Sequence, residues 1–315
     1  MENVSTSSVH FVLLGLVEME KGKSLCIVLA LGIYLTSMIL SSVIVYTVWV
    51  EAALHEPMYL FICNLLLNGM FGSSSLFPRL IIDLLSGFIT ISYAECLIQT
   101  FCMHTFAAVE ILTFTIMAQD RYLAIGAPLR YPTLMTNRRA LTYVAAVWTV
   151  SFIQVIILLV MTMRLHLCGV NINNVYCDNM SLVRLACGDT SMNSMFGAVQ
   201  AVLGYILILS IVIYCYVKTF LICLRFSRDA YHKATRTLVS HLVAFSCFIV
   251  ANVFVFLRYR LDSSPLALYV HVIFSCLGIV TSAVVNPFIY GIRTEALRGK
   301  IVQNILKTAA AKQKR

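Results

Sequence analysis

Met117-Ala118-Gln119-Asp120-Arg121-Tyr122 closes one of the long apolar stretches of the chain and runs on into Leu123-Ala124-Ile125. A guanidinium near the edge of hydrocarbon costs a few kcal/mol even on lenient insertion scales, so Arg121 needs a partner or a task. Asp120 is the adjacent partner. The task inferred is a two-state one, in which Arg121 pairs with Asp120 at rest and is released toward other groups when the helices rearrange. Working outward, steps of four and three residues from Cys96 reach Thr100, Met103, Ala107, Glu110, Phe114, Met117 and Arg121, one continuous helical face. That face starts at a cysteine, buries an acid at its middle and ends on the arginine. A carboxyl near a bilayer midplane is rarely tolerated for structure alone. Glu110 reads first as a buried polar node between helices and second as a group that touches a ligand.

The composition agrees with a membrane setting. The 315 residues are 60% hydrophobic and only 12% charged, with a mean hydropathy of +0.88. A soluble fold cannot hide that much apolar surface. Several runs reach the roughly 20 apolar residues that span a bilayer, which predicts one polytopic helical domain. The net charge of +9 might suggest nucleic acid, but its distribution points elsewhere. Of the Lys and Arg residues, only Lys21, Lys23, Arg79, Arg164, Arg184, Arg258 and Arg260 fall on one predicted side. The rich side ends in Lys307, Lys312, Lys314 and Arg315 and is cytoplasmic by the positive-inside rule. The chain then starts outside and ends inside, which requires an odd number of spans. No cleavable signal peptide is visible before Lys21, and the first span is expected to serve as the insertion signal.

Predicted spans run over about 24–50, 58–85, 93–126, 140–163, 193–225, from about 232 onward, and 265–291. Seven of the eleven cysteines lie within predicted spans as free apolar side chains, whereas Cys96, at the outer end of the third span, and Cys168, Cys177 and Cys187 lie outside the membrane. Four cysteines permit three connectivities. Asn3-Val4-Ser5 is a glycosylation sequon, meaningful only if this end enters the secretory lumen. Leu257-Arg258-Tyr259-Arg260 places two cations above an apolar cavity, as surface anchors or as ligand groups. His104, one turn below Thr100, is open to two readings: an interhelical hydrogen-bonder or a ligand contact. Residues 292–307 alternate basic and apolar positions at helical spacing and predict an amphipathic helix on the inner leaflet.

Five motifs in order carry a family resemblance: Leu54-His55-Glu56-Pro57-Met58-Tyr59, the Met-Ala-x-Asp-Arg-Tyr run with Pro128-Leu129-Arg130-Tyr131, the outer cysteines, Lys233-Ala234-x-x-Thr237-x-x-Ser240-His241, and Asn286-Pro287-Phe288-Ile289-Tyr290. Together they resemble the odorant receptors, the largest branch of the rhodopsin-like G-protein-coupled receptors. The resemblance implies an all-α fold, a seven-transmembrane helix bundle with an amphipathic C-terminal helix on the inner membrane surface. It divides the chain into an extracellular stretch 1–23, a bundle 24–291 and a cytoplasmic tail 292–315. It also implies disulfides Cys96–Cys177 and Cys168–Cys187, and glycosylation at Asn3. The implied ligand site comprises Met103, His104, Ala107, Gln200, Gly204, Tyr205, Asn252, Phe256 and Arg260; set against the surface-anchor reading, the residues themselves suggest that Arg260, helped by His104, holds the acidic head of a ligand, since a charge-assisted bond in a desolvated pocket is strong. The implied coupling set is Asp120, Arg121, Tyr122, Tyr216, Lys233, Asn286, Pro287 and Tyr290, with Tyr216 steadying the released Arg121.

The implied function is that of an odorant receptor. A small-molecule odorant binds from outside, and the inner face activates a heterotrimeric G protein of the stimulatory olfactory type, raising cyclic AMP. The implied location is the plasma membrane, in cilia of olfactory neurons, with no cofactor and no nucleic acid. Four positions depart from the family pattern. Asn68-Gly69 stands where the family carries an acid that helps bind sodium and water, Ile249 replaces a tyrosine at the pocket floor, Cys215 replaces a serine, and Ala283 replaces a proline. The rivals are a class A receptor for a metabolite or hormone, which sequence does not separate from an odorant receptor, and a transporter, which predicts repeats and broken helices in matching halves. An enzyme is not expected, since no metal-ligand cluster, phosphate loop or nucleophile–base pair stands out.

Overall fold

The structure is a computed structural model that describes residues 10–225, 228–261, 268–293 and 297–304. Seven of its helices are long and apolar enough to cross a membrane. They are α1 (Lys23–Val50), α2 (Pro57–Ser86), α3 (Tyr93–Gly126), α4 (Asn137–Met163), α5 (Ser191–Cys223), α6 (Arg228–Leu261) and α7, which is built from Leu268–Val280, a π-turn Thr281–Val285 and Asn286–Arg293. Their ends lie within about one turn of the limits read from sequence. Local chemistry sets several of these ends. Pro57 occupies the first turn of α2, where its missing N–H leaves no gap. Gly87 closes α2 in the left-handed region at φ 73°. Ser92 and Glu95 form a reciprocal capping box at the start of α3.

α3 is the central rod and packs against α2, α4, α5 and α6. Polar cross-links hold it there. The Asn64 amide donates to Thr113 Oγ1 at 2.8 Å, and Trp148 Nε1 donates to Asn64 Oδ1 at 2.8 Å, joining α2, α3 and α4. The outer flanks are the reverse. Leu25, Val28 and Leu29 on α1, Ile153 and Ile156 on α4, and Leu203, Ile206 and Leu207 on α5 are all exposed. Patches of that extent cannot face water and require hydrocarbon, which makes the chain a multi-pass membrane protein.

The predicted all-α architecture gains one small sheet over its outer mouth. β1 (His10–Leu13) pairs antiparallel with β2 (Thr90–Ser92) and parallel with β3 (Asn171–Ile172), in the order β2-β1-β3. Phe11 and Leu13 point into the core while His10 stays exposed, the alternation expected of a strand with one buried face. Four residues are too few for periodicity to announce this. A short helix, Leu14–Met19, follows, and its Gly15 N–H donates to the Asn174 carbonyl at 3.2 Å. A Cβ at Gly15 would lie 2.7 Å from Asn174 backbone, so the close approach requires glycine.

Two disulfides, Cys96–Cys177 and Cys168–Cys187, pin the loop between α4 and α5. Arg79 lies near the end of α2 beside β2, among charged and polar partners. Its Nε donates to both Asp83 oxygens at 2.8 Å, Nη1 reaches Glu95 at 3.1 Å, and Nη2 donates to the Thr90 carbonyl at 2.9 Å. A half-buried guanidinium between two carboxylates gains more from pairing than from snorkelling. On the inner side, residues 297–304 are helical, with Leu297 buried and Lys300 Nζ 2.9 Å from Glu51.

Candidate ligand cavity and the polar seam beneath it

A cavity of about 310 Å³ lies among α3, α4, α5, α6 and α7, roofed by the outer loop. Its size falls at the lower end of ordinary small-molecule sites. Met103, His104, Ala107, Gln200, Gly204, Tyr205, Asn252 and Phe256 all line it. Helical spacing explains the shared face on each element, since 103, 104 and 107 on α3 and 252 and 256 on α6 fall on one stripe. The Arg260 side chain lies outside the described residues, as do the Lys233 side chain and Asn3.

The roof contributes residues that sequence reasoning did not select. Tyr176, Asp178 and Asn179 line the cavity from the loop. The Cys96–Cys177 bond and a 2.8 Å hydrogen bond from the Cys177 N–H to Gln99 Oε1 hold that loop against α3. Burial pushes the Tyr176 phenol above its ordinary range, so it stays neutral and donates to the Ser275 carbonyl of α7 at 3.4 Å. Asp178 caps the short helix Asn179–Arg184, accepting from the Ser181 N–H at 3.0 Å and from its hydroxyl at 2.7 Å. Asn179 is itself buried and accepts from Thr162 Oγ1 at 2.7 Å, which leaves no room for a glycan on Asn179-Met180-Ser181.

The expected floor position shifts by one residue. Phe248 lines the cavity and Ile249 does not, because 248, 251, 252 and 255 form one face of α6 and 249 turns off it. Phe248 meets Phe106 edge-on at 6.0 Å and Phe114 at 6.3 Å, and Phe114 meets Phe245 at 5.9 Å. A ladder of rings therefore descends from the cavity floor toward the inner half.

Beneath the floor, Glu110 is fully buried and does not line the cavity. Asn68 Nδ2 donates to one of its oxygens at 2.8 Å and Asn286 Nδ2 to the other at 2.8 Å, so α2, α3 and α7 meet at one carboxyl. At Gly69 a side chain would require Ser282 of α7 to give way by a few tenths of an ångström. A Cβ there would lie 3.0 Å from Ser282 Oγ and 3.2 Å from its carbonyl oxygen. The π-turn precedes Asn286-Pro287, where proline withholds its N–H, and this irregular backbone is what brings the Asn286 amide onto Glu110.

At the inner end, Asp120 is buried and accepts from Arg121 through Nη2 and, at 3.2 Å, through Nε. Tyr131, in the short helix Tyr131–Leu134 of the inner loop, adds a 2.7 Å donation to the other carboxylate oxygen. Burial and then the Asp120 charge raise the Tyr131 phenol above its ordinary range, which keeps the proton it donates. Tyr122 packs against Tyr214. Tyr216 is half-buried against the core, and Tyr290 is buried with its hydroxyl 3.0 Å from His241 Nδ1. His241 was visible in sequence only as the end of a motif, and its partner lies 49 residues away. Leu129, beside this cluster in sequence, is 95% exposed.

The sequence model of the family described as olfactory receptor matches residues 29–308 of this chain. Mouse (Mus musculus) Olfactory receptor 4B13 is 32% identical, with 91% of this chain and 93% of that protein aligned. Human (Homo sapiens) Olfactory receptor 52B6 is 32% identical over 84% of this chain and 79% of its own length. Human Olfactory receptor 4B1 is 31% identical over 93% of this chain and 94% of its own.

Proposed function

The chain belongs to the olfactory receptor family, and on that premise we propose that it is a plasma-membrane receptor that takes a small odorant into the cavity beneath the disulfide-pinned loop. The N-terminus is outside and the C-terminus inside, in cilia of olfactory neurons. The chain divides into an outer stretch 1–23, a bundle 24–291 and an inner tail 292–315. Asn3 carries the glycan. Ligand binding favours an arrangement in which Arg121 leaves Asp120 and the inner ends of α5, α6 and α7 part to admit a heterotrimeric G protein of the stimulatory olfactory type, raising cyclic AMP. A ligand drives this only through its higher affinity for the active arrangement.

The observation that carries the reading is one continuous path. The cavity floor at Phe106 and Phe248 joins the ring ladder, the Glu110 node ties α2, α3 and α7 just below, and the inner end holds Arg121 on Asp120 beside the His241–Tyr290 pair. The released Arg121 is received by Tyr216, and Lys233 and Tyr290 line the opened cleft. Exposed Leu129 gives the G protein an apolar anchor next to that cleft.

The test is a cyclic AMP assay in transfected cells against acids, amines, alcohols, steroids and neutral odorants, repeated with Arg121→Ala at matched surface expression. The expected outcome is a dose-dependent rise that Arg121→Ala abolishes. A response that survives the substitution removes the coupling route.

A further inference from the structure

We infer that ligands reach the cavity sideways, out of the outer half of the bilayer, through a gap between α4 and α5, so that the site is supplied with molecules that partition into membrane. The inference rests on the receptor reading above for the use of the cavity, and adds the route and the kind of molecule that can take it.

The outer face is closed over α3, α4 and α5. Tyr176, Cys177, Asp178 and Asn179 are all buried, and the Cys96–Cys177 bond and the Gln99 hydrogen bond hold their loop down. At the outer end of the seam between α4 and α5, Thr162 Oγ1 donates to Asn179 Oδ1 at 2.7 Å and Asn193 Nδ2 donates to Thr162 Oγ1 at 3.5 Å. At the inner end, Val212 and Cys215 of α5 are buried again. Between those ends the seam is loose. Among the described residues of α5, none after Asn193 and before Val212 is buried, and the helix packs mainly on α3 and only weakly on α4.

Two glutamines mark the edges of the gap. Gln154 lines the cavity from α4, and the residues one turn before and after it, Val150 and Ile157, are exposed on the flank of the bundle. Gln200 lines it from α5, between exposed Phe196 and Leu203 at the same spacing. Each amide therefore stands on the border between cavity wall and lipid face. Gln200 is part-exposed as a residue, but its Oε1 is buried with no partner among the described residues. That is costly in hydrocarbon, and a passing polar head or a water offsets it, since each amide can both donate and accept. Small residues supply the room. Ala108 on α3 and Gly197, Ala201 and Gly204 on α5 line the cavity, and a Cβ at Gly204 would meet nothing within 4 Å. An apolar molecule leaves water for hydrocarbon, so it is more concentrated at such a side opening than at an aqueous mouth.

The experiment uses the full-length receptor in lipid nanodiscs carrying Gly204→Cys, with labelling read by peptide mass spectrometry so that the native cysteines are told apart. Ala201→Cys is the second reporter should the first not fold. Two thiol reagents are compared: N-dodecylmaleimide, which stays in the bilayer, and a permanently charged methanethiosulfonate, which stays in water. Each rate is taken relative to a reference position, Val202→Cys on the lipid face of α5 for the maleimide and Met192→Cys at its exposed outer end for the charged reagent. On that scale the maleimide is expected to label position 204 at least about tenfold faster than the charged reagent does. Adding Gln154→Trp is expected to cut maleimide labelling at 204 about tenfold and to leave position 202 unchanged. Gln200→Trp, at the opposite edge, replaces it if that variant does not fold. Faster labelling of 204 by the charged reagent means entry through the outer mouth, labelling by neither means no opening, and labelling that both edge substitutions leave unchanged means entry elsewhere; each of these overturns the inference. Labelling needs no signal, so a cell assay in which no odorant raises cyclic AMP would sink the receptor reading and leave the side opening standing.

Discussion

Two carboxyls in this protein sit in surroundings that suit different tasks. Asp120 holds two donors that both belong to the inner surface, the Arg121 guanidinium and the Tyr131 phenol. Hydrogen bonds to a charged group are worth about 1.5–3 kcal/mol each, so their loss weakens the resting arrangement. Asp120→Asn is expected to raise ligand-independent cyclic AMP about tenfold, and Tyr131→Phe by less, with signal normalised to surface protein. A basal level unchanged in both would show that Asp120 does not restrain Arg121. Glu110, by contrast, receives one amide from α2 and one from α7 and faces no cavity. Glu110→Leu leaves both amides buried without a partner and is expected to lower stability by about 3 kcal/mol, against about 1 kcal/mol for Glu110→Gln, which keeps one acceptor. Thermal unfolding in detergent reads the difference. Equal losses for the two variants would mean that size and not hydrogen bonding matters at 110.

At the scale of elements, α3 packs against α2, α4, α5 and α6, and α6 is the element that the proposed mechanism moves against it. The contact between them in the middle of the bundle is aromatic: Phe106 and Phe114 on α3 meet Phe248 and Phe245 on α6. Ring pairs of this kind add about 0.5–1.5 kcal/mol each beyond area burial and have discrete edge-on and offset arrangements. On the proposed mechanism the ladder serves as a two-position contact. Phe114 lines no part of the cavity, so Phe114→Leu is expected to leave ligand affinity within about twofold while cutting the maximal cyclic AMP response severalfold. A parallel loss of binding and response would place Phe114 in the ligand site and remove its coupling role. The outer sheet has a different job. β1 joins the N-terminal segment to β2 and β3, fixing the loop that carries Tyr176 and Asp178.

For the whole molecule, apolar flanks and a polar interior are inverted relative to a soluble protein, and this follows from the solvent it occupies. The distribution of Lys and Arg predicts its orientation. Epitope tags at the two ends are expected to be read on opposite faces of the membrane in unpermeabilised and permeabilised cells. Both tags on one face would contradict an odd number of spans with this orientation. An aromatic and polar column crosses the bundle from the roofed cavity to the Asp120 cluster, and the inner side gains a further tie where Lys300 meets Glu51.

Seven spans, their order and nearly all their limits were written in the chain itself, because a bilayer imposes a length and a polarity that no neighbour can override. The α3 stripe from Cys96 to Arg121 was equally readable, since helical spacing alone places those side chains on one face. The family resemblance, and not spacing, named Met103, His104, Ala107, Asn252 and Phe256 as ligand residues, and all of them line the cavity. What only the tertiary structure decided were pairings between residues distant in sequence. Asp178 entered the cavity wall because a disulfide folds its loop back over the bundle. Glu110 became a three-helix node because a π-turn swings Asn286 onto it, and His241 found Tyr290 across the gap between α6 and α7. Periodicity fixes which way a side chain leaves its own helix, but the identity of the group it meets depends on the rotation and depth of another helix, which packing sets.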